Sequence, residues 1–590
     1  MALEVINCGY ATTGTGEEYL KNKIIRLYKD EDDGSNEAVL YIQPKIKDKR
    51  PDFILIDKKR GISIFEVKDW ESSFISNINI LEVKTINGNI FTNPAHQIRN
   101  YFNILKSTLE MSRALCNEYG DLKINLSGFF VMVNMDRIEV ENFNNFFKHD
   151  FISCLTKDFL RTMKIDDLFN NRSSVVLQEH ELKFIRGSIN PEIKIVDTPT
   201  TIRKNEKIEE YIKVLDYGQE KFAKRIIEGH YIATGVPGSG KTIMLLSRAL
   251  FLAKEHPNWK IKIVCYNNSL VNKLKNKIEI LRNELEYNGV NIYNIDISTF
   301  HKMATNITRM VYDHTSNYWD ETLPNAALER ATEIYDALLV DEYQDFRDNW
   351  LQVCLRVCKK YNGKENIFLA GDRLQSIYNK KDISWKSLGI NIVGRSILLK
   401  TTYRSGKQHI NVALQFLKND YKLEKEVNAF YEGTEDIKGQ DYGEDIIFIQ
   451  GEYNSISEVI QNLLYSGYKY EDILVLCKER YKINSIYNLL PDKIKVNCSI
   501  DNKIQDKTII ITTYHSSKGL ESKICILVDF DMLEEKKLAY VGMTRASEHL
   551  YIHANDYDSV NFAAEVRDIA EGNFDSMERY KVKEAGVPEI

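Results

Sequence analysis

The chain of 590 residues predicts an α/β protein of several domains. Three observations carry that prediction. Gly235-Val-Pro-Gly-Ser-Gly240-Lys241-Thr242 fits G-x-x-x-x-G-K-[ST] between the apolar run His230–Thr234 and Ile243-Met-Leu-Leu, so strand, Gly-rich loop and helix follow one another. Ala337-Leu-Leu-Val340, Ile367-Phe-Leu-Ala370 and Asp472-Ile-Leu-Val-Leu-Cys477 are short apolar runs that read as strands. Val39-Leu-Tyr-Ile-Gln43, Pro51–Asp57 and Gly61–Asp69 read as three short strands close together near the start.

The length exceeds what one core organises, and three or four domains are expected. A hydrophobic content of 43% with 28% charged residues is ordinary for a globular protein in water. Met1-Ala-Leu-Glu4 lacks the basic start of a signal peptide, and no apolar run reaches the roughly 18 residues that span a bilayer. A cytoplasmic location without a membrane partner is therefore expected. Nine cysteines lie scattered, with only Cys354 and Cys358 at helical i, i+4 spacing, and are expected as reduced thiols without disulfides or an iron–sulfur cluster. The net charge of −6 announces no global basic field, although phosphate binding needs only a local basic groove.

Taken in order, Thr12-Thr-Gly-Thr-Gly-Glu17-Glu18 leads into Tyr19-Leu20-Lys-Asn-Lys-Ile24-Ile25-Arg-Leu27. The apolar spacing predicts an amphipathic helix opened by a cap and an acidic first turn. In Phe65-Glu66-Val67-Lys68 the period of two puts Glu66 and Lys68 on one strand face, where Asp52 of the preceding strand meets them. Two carboxylates converging with the Val67 carbonyl make an oxygen-only site suited to Mg²⁺ or Mn²⁺, and Lys68 orients an attacking water, which is the chemistry of phosphodiester hydrolysis. Alternating charge on an exposed strand face is the competing meaning of the same residues. Asn93-Pro94-Ala-His-Gln97-Ile-Arg-Asn-Tyr101 sets Gln97 and Tyr101 four apart on a helix face, to brace the site or touch substrate. Lys45, Lys47, Lys49, Arg50 and the turn Lys58-Lys59-Arg60 crowd the same sheet, as solvated strand ends or as a seat for a nucleic-acid backbone. Ser127-Gly-Phe-Phe-Val-Met-Val133 reads as another buried strand.

In the Gly-rich loop, Gly235, Gly238, Ser239 and Gly240 turn backbone N–H groups onto a polyphosphate, Lys241 reaches its terminal phosphates and Thr242 holds a magnesium ion. The following helix adds the positive end of its dipole. Ala337–Val340 ends in Asp341-Glu342-Tyr343-Gln344-Asp345, and carboxylates at such a strand end beside a phosphate loop hold the metal (Asp341) and polarise the attacking water (Glu342). Ile367–Ala370 ends in Gly371-Asp372-Arg-Leu-Gln375, which places Gln375 to sense the γ-phosphate.

These residues carry two resemblances. Pro51-Asp52, Phe65-Glu66-Val67-Lys68-Asp69-Trp70, the Gln97/Tyr101 pair and a helix beginning at Glu17 resemble the nuclease-related domain family (NERD) of the PD-(D/E)xK fold, over roughly residues 10 to 160. The resemblance implies a restriction-endonuclease-like mixed sheet cutting DNA with Asp52, Glu66 and Lys68, supported by Glu17, Gln97 and Tyr101. The remainder resembles the UvrD/Rep family of superfamily 1 helicases, which implies two RecA-like domains with ATP between them. By that resemblance Gln219 and Tyr403 read adenine, Arg404 of Thr402-Tyr-Arg-Ser405 and Arg545 of Ala539–Ala546 touch the γ-phosphate, and Glu521 of Thr513–Glu521 lies near the ribose. Asn267, Thr299, His301 and His515 occupy the places of its DNA-contacting residues, and the direction implied is 3′ to 5′. The intervals from Lys302 to Asp336, about 30 residues, and from Ser405 to Ile509, about 100, are shorter than that family's inserted subdomains. Translocation is therefore expected rather than strong unwinding.

The expected domains are residues 1–190 (nuclease-like), 191–205 (linker), 206–395 and 396–560 (RecA-like) and 561–590 (tail). The function expected is an ATP-dependent DNA translocase fused to a metal-dependent nuclease, with ATP and Mg²⁺ (or Mn²⁺ at the nuclease site) as cofactors and DNA with single-stranded segments as partner. Single-chain bacterial phage-defence proteins show the same pairing. DNA repair and a non-cutting ATP-gated switch are the alternatives, and RNA stays open as substrate.

Overall fold

The computed structural model describes residues 3–9, 14–31, 37–110 except 48, 115–143 except 118 and 120, 152–170, 176–196, 212–376 except 227, 313, 315 and 316, 385–430, 438–440, 446–500, 507–573 and 580. It divides into two compact units, Met1–Ile227 with Leu246–Ile261 and Lys275–Ile295, and Glu228–Leu245 with Lys262–Leu274 and Asp296–Ile590. Among the described residues no helix is long and apolar enough to cross a membrane, and the nine cysteines are free.

The first unit is built on a mixed sheet. Its strands β1 (Glu4–Asn7), β2 (Ala38–Ile42), β3 (Phe53–Asp57), β4 (Gly61–Lys68), β8 (Leu126–Met132) and β9 (Ile152–Thr156) stand side by side in that order. The pairs β2/β3 and β3/β4 are antiparallel, while β1/β2, β4/β8 and β8/β9 are parallel. Between β4 and β8 the chain makes a small antiparallel sheet of β5 (Ile75–Ile78), β6 (Glu82–Thr85) and β7 (Ile90–Thr92).

Alternation along β3 and β4 explains the layers. Phe53, Leu55, Phe65 and Val67 face one way and pack with Leu20, Ile24 and Tyr28 of helix α1 (Thr15–Asp30). Ile54, Ile56, Ile62 and Ile64 face the other way onto Ile98, Tyr101 and Leu105 of helix α2 (Pro94–Glu110). Both faces are thus covered, which is why β4 is buried from Gly61 to Val67.

The start of α1 differs from expectation. Its N-cap is Gly14, which has no side chain to cap with. Asp69, just past β4, does the work from 53 and 54 residues away, accepting from the Gly16 N–H at 3.2 Å and the Thr15 hydroxyl at 3.0 Å.

The basic residues of this sheet are drawn into internal contacts. Arg50 donates to the Cys8 and Gln43 carbonyls and pairs with Glu255 at 2.5 Å. Arg60 pairs with Asp57, Asp166 and Glu31, Lys58 with Glu37, and Lys45 donates to the Lys254 carbonyl. These four side chains are engaged within the protein and are not free strand ends in solvent.

A buried charge cluster lies in the same unit. Arg186 meets Glu220 at 2.5 Å, Lys224 meets Glu220 at 3.0 Å and Glu192 at 3.1 Å, and Lys254 meets Glu192 at 3.4 Å. The Tyr41 hydroxyl of β2 donates to Glu220 at 3.2 Å, and Lys224 also reaches the Cys8 sulfur. All seven residues are buried, and ions so placed persist only when paired. Of the stretch 191–205, Pro191–Val196 forms a short turn and a strand pairing with Ile212–Val214; the rest lies outside the described residues.

In the second unit a six-stranded sheet runs Ile295–Thr299, Ile261–Cys265, Ala337–Asp341, Ile367–Gly371, His230–Gly235 and Ser396–Leu399. A second sheet runs Ile446–Gln450, Ala546–Ala554, Ser522–Leu527, Ile473–Cys477, Ile509–Thr513 and Cys498–Ile500, parallel throughout. The apolar run Ile473–Cys477 is its fourth strand, fully buried. Past the last strand, the helix Phe562–Glu571 sends Ala563, Ala564, Val566 and Ile569 into the core of this sheet.

Candidate functional site

In the first unit, strand parity puts Asp52, Glu66 and Lys68 on the face that α2 covers. The Val67 N–H donates to Asp52 Oδ2 at 2.6 Å, and Lys68 Nζ lies 2.6 Å from Glu66 Oε1. Gln97 donates to the Tyr101 hydroxyl at 2.6 Å, and that hydroxyl reaches the Arg50 carbonyl at 3.5 Å. Burial and then the neighbouring Glu66 push Asp52 up to about 8. Burial also raises Glu66, against the pull of the Lys68 ammonium and the Gln97 amide. Glu66 Oε2 is buried with no hydrogen-bond partner. Two buried carboxylates, one with an orphaned oxygen, hold a proton more tightly than usual when alone and present oxygen ligands of the kind a divalent cation takes. Among the described residues no three His, Cys, Asp or Glu side chains cluster to hold a metal by themselves, so a backbone carbonyl or solvent has to complete any such site.

Two residues of this site escaped the sequence reading. Gln43 follows β2 with φ at 49°, in the left-handed region, and its amide donates to Glu17 Oε2 at 3.2 Å. A Cβ on Gly9 would come within 2.1 Å of the Gln43 side chain. Asp69 fixes the turn of α1 that bears Glu17. The signal for Asp69 was its position one residue beyond Glu-x-Lys; Gln43 had none.

In the second unit the Gly-rich loop has left-handed φ at Gly238 (72°) and Gly240 (87°), which glycine adopts without penalty. Lys241 donates to the Gly235 and Val236 carbonyls at 3.0 and 2.9 Å, and Thr242 donates to Asp341 Oδ1 at 3.3 Å. Asp341 Oδ2 is buried without a partner, and burial with the adjacent Glu342 pushes Asp341 up to about 7. Burial works to raise Glu342 too, but the Lys518 and Lys241 ammoniums outweigh it and its acidity is strengthened. Glu342 has φ at 56°, a conformation held only by its surroundings, here including the Gln344 amide at 2.5 Å.

Elements of the second sheet close on these residues. Arg545 donates to Gln375 Oε1 at 3.0 Å, and Lys518 donates to Asp345 Oδ1 at 2.7 Å and to the Gln375 carbonyl at 2.6 Å. Lys518 lies inside Thr513–Glu521, where nothing in the sequence pattern singles it out. Glu521 pairs with Lys273 at 2.5 Å. Tyr403 and Arg404 stand on the strand Thr401–Gly406, and their side chains lie outside the described residues. Gln219, in the first unit, is buried on the helix Tyr217–Ala223, whose N-cap Asp216 accepts its N–H at 2.8 Å. Asn267 and Thr299 both cap helices, accepting from the Leu270 and Lys302 N–H groups at 2.9 and 3.3 Å. His301 Nε2 lies 3.2 Å from the Trp319 carbonyl, and His515 is exposed.

Comparison with known proteins agrees with both halves. Residues 14–127 match the nuclease-related domain, 219–381 an AAA domain and 496–557 the UvrD-like helicase C-terminal domain. A probable DNA helicase II homolog of Mycoplasma capricolum is 29% identical over 27% of this chain and 22% of its own length. The ATP-dependent DNA helicase Rep of Buchnera aphidicola (Baizongia pistaciae) is 26% identical over 43% of this chain and 37% of its own. The chain thus spans well under half the length of either relative. The Arterivirus nonstructural protein 10 helicase aligns at 13% identity and a TM-score of 0.28 over 55% of this chain and 59% of that one, too low to bear on the fold. The order of the three matches makes the chain a fusion of a nuclease-related domain with a UvrD-like helicase module.

Proposed function

We propose that the chain hydrolyses ATP to move along single-stranded DNA and cuts DNA at the Asp52–Glu66–Lys68 site. The carrying observation is the meeting of Arg545, Gln375, Lys518 and Asp345 beside Glu342 and Asp341. Groups from both sheets face one phosphate loop there, so closing them on a nucleotide links hydrolysis to movement.

On that reading Lys241 exchanges the two loop carbonyls for phosphate oxygens, Gln219 and Tyr403 hold the base, and Glu521 lies toward the ribose. Thr242 and Asp341 would hold Mg²⁺, which neutralises charge on the β- and γ-phosphates. Glu342, kept ionised by Lys518 and Lys241, orients the attacking water, while Gln375, Arg404 and Arg545 stabilise the charge that develops on the γ-phosphate. At the other site Asp52, Glu66 and the Val67 carbonyl would hold a divalent metal supplying Lewis-acid charge at the scissile phosphate. Lys68 orients the attacking water there, with Gln97, Tyr101 and Glu17 fixing the surrounding polar groups. Asn267, Thr299, His301 and His515 line the path of the strand. The architecture suits a chain that attacks foreign DNA unaided.

The test uses purified protein, labelled single-stranded, duplex and forked DNA and the matching RNA, with Mg²⁺ or Mn²⁺ and with or without ATP. Wild type should cut DNA and Glu66→Ala should not. Intact DNA in every arm would reject the cutting reaction. Lys241→Ala should abolish DNA-stimulated ATP hydrolysis, and unchanged turnover would reject the motor.

A further inference from the structure

The interval between the helix Phe300–Thr308 and the strand Ala337–Asp341 carries aromatic residues that no nucleotide or nuclease role uses. Its centre is a π-helix, Tyr318–Thr322, a rare local widening that tends to occur where function needs a side chain redirected. Tyr318 is buried and anchors the turn, and the next residue, Trp319, turns outward with 40% exposure. Tyr312, 41% exposed, stacks on Trp319 at 5.3 Å and 25° between ring planes, and meets Tyr318 edge-on at 5.1 Å. Behind Trp319 stands His301, edge-on at 5.3 Å, backed in turn by Trp350 at 4.7 Å.

Two exposed cations and the exposed acid Glu321 stand beside these rings. Lys302 is exposed on the helix and Arg309, seven residues on and therefore at nearly the same azimuth, is exposed at its C-cap. The nearby Asp320 is held by Arg347 at 2.7 Å, which neutralises it locally.

We infer that Tyr312 and Trp319 form a base-stacking platform for single-stranded DNA, with Lys302 and Arg309 holding the adjoining phosphates. This rests on the DNA reading above and adds residues outside every motif recognised in the sequence. Flat rings backed by rigid neighbours and flanked by cations are what sequence-tolerant single-strand binding requires. The contact of His301 with Trp319 makes the platform continuous with the residues proposed to line the strand's path. A short insertion would in this way grip the strand without an inserted subdomain.

The test measures the affinity of the full chain for labelled oligo-dT by anisotropy across a salt series. Trp319→Ala should weaken binding about tenfold while leaving the slope of log Kd against log salt unchanged, since stacking releases no counterions. Trp319→Phe should stay within about threefold of wild type, and a matched thermal melt checks that both variants fold. Lys302→Ala or Arg309→Ala should lower the salt slope by about one. An oligonucleotide with abasic sites should bind wild type more weakly but Trp319→Ala no more weakly than oligo-dT does. Equal affinity of Trp319→Ala and wild type, or a variant whose defect is a split dimer in sedimentation, would overturn the platform while leaving the DNA reading standing. If wild type binds no oligonucleotide, both fall.

Discussion

On the proposed reading, Asp52 is the group whose protonation separates the metal-free from the metal-bound state of the Asp52–Glu66–Lys68 site, and Asp52→Asn removes it with little change of shape. Burial and Glu66 push Asp52 up to about 8, against an ordinary carboxylate near 3.9. Metal ligation needs the ionised form. At pH 7 about nine-tenths of metal-free Asp52 then carries a proton and at pH 9 about one-tenth, so metal uptake releases more protons at the lower pH, with Glu66, also raised by burial, adding to what Asp52 gives up. Between pH 8 and pH 6 the Mn²⁺ affinity should fall about fiftyfold. The sign for stability follows from the same shift. The metal-free folded state binds the extra proton between about pH 4 and 8, so it loses stability as pH rises through that window, and Asp52→Asn should relieve the loss. Proton release is read with an indicator dye in weakly buffered protein on adding Mn²⁺ without nucleotide, at pH 7 and pH 9. Equal release by wild type and Asp52→Asn, or an affinity flat from pH 6 to pH 8, would refute the reasoning.

Arg545→Ala removes the contact with Gln375 and should lower ATP turnover about a thousandfold with nucleotide affinity kept, as measured by steady-state hydrolysis beside equilibrium nucleotide binding. In Gly16→Ala the new Cβ would fall 1.7 Å from Asp69 Oδ1 and 2.8 Å from Val133 Cγ2. The first turn of α1 must therefore shift, costing about 1–3 kcal/mol and weakening cleavage while ATP hydrolysis persists, which a melt and parallel assays would check. Arg186→Met leaves Glu220 buried without its guanidinium and should cost about 3–5 kcal/mol, seen as earlier unfolding of the first unit by limited proteolysis.

The alternation in Gly61–Lys68 was enough to place Glu66 and Lys68 together on one face, because a two-residue period is a local property; that α2 covers that face was not legible there. The apolar runs at Ala337 and Ile473 likewise announced strands, and the structure pairs both in parallel. What stayed hidden depends on partners far apart in the chain. Asp69 caps a helix 53 residues upstream, and Lys518 reaches Asp345 across 173 residues. Gln43 takes a left-handed φ that nothing in its neighbours encodes. The small sheet from Ile75 to Thr92 and the helix Phe562–Glu571 are weakly patterned alone and make sense only against the cores they cover.

The buried cluster around Glu220 bears on how such a chain can be rearranged. A graft that carried residues 1–190 onto a different ATPase would bring Tyr41 and Arg186 but leave behind Glu192, Glu220, Lys224 and Lys254. The transplanted guanidinium would then lose its counter-charge together with the Leu215 carbonyl and the Tyr217 ring that it meets here. Exchange at that boundary is disfavoured by electrostatics rather than by chain connectivity, and a viable swap would have to take the helix Tyr217–Ala223 and the Lys254 segment with the nuclease-related half.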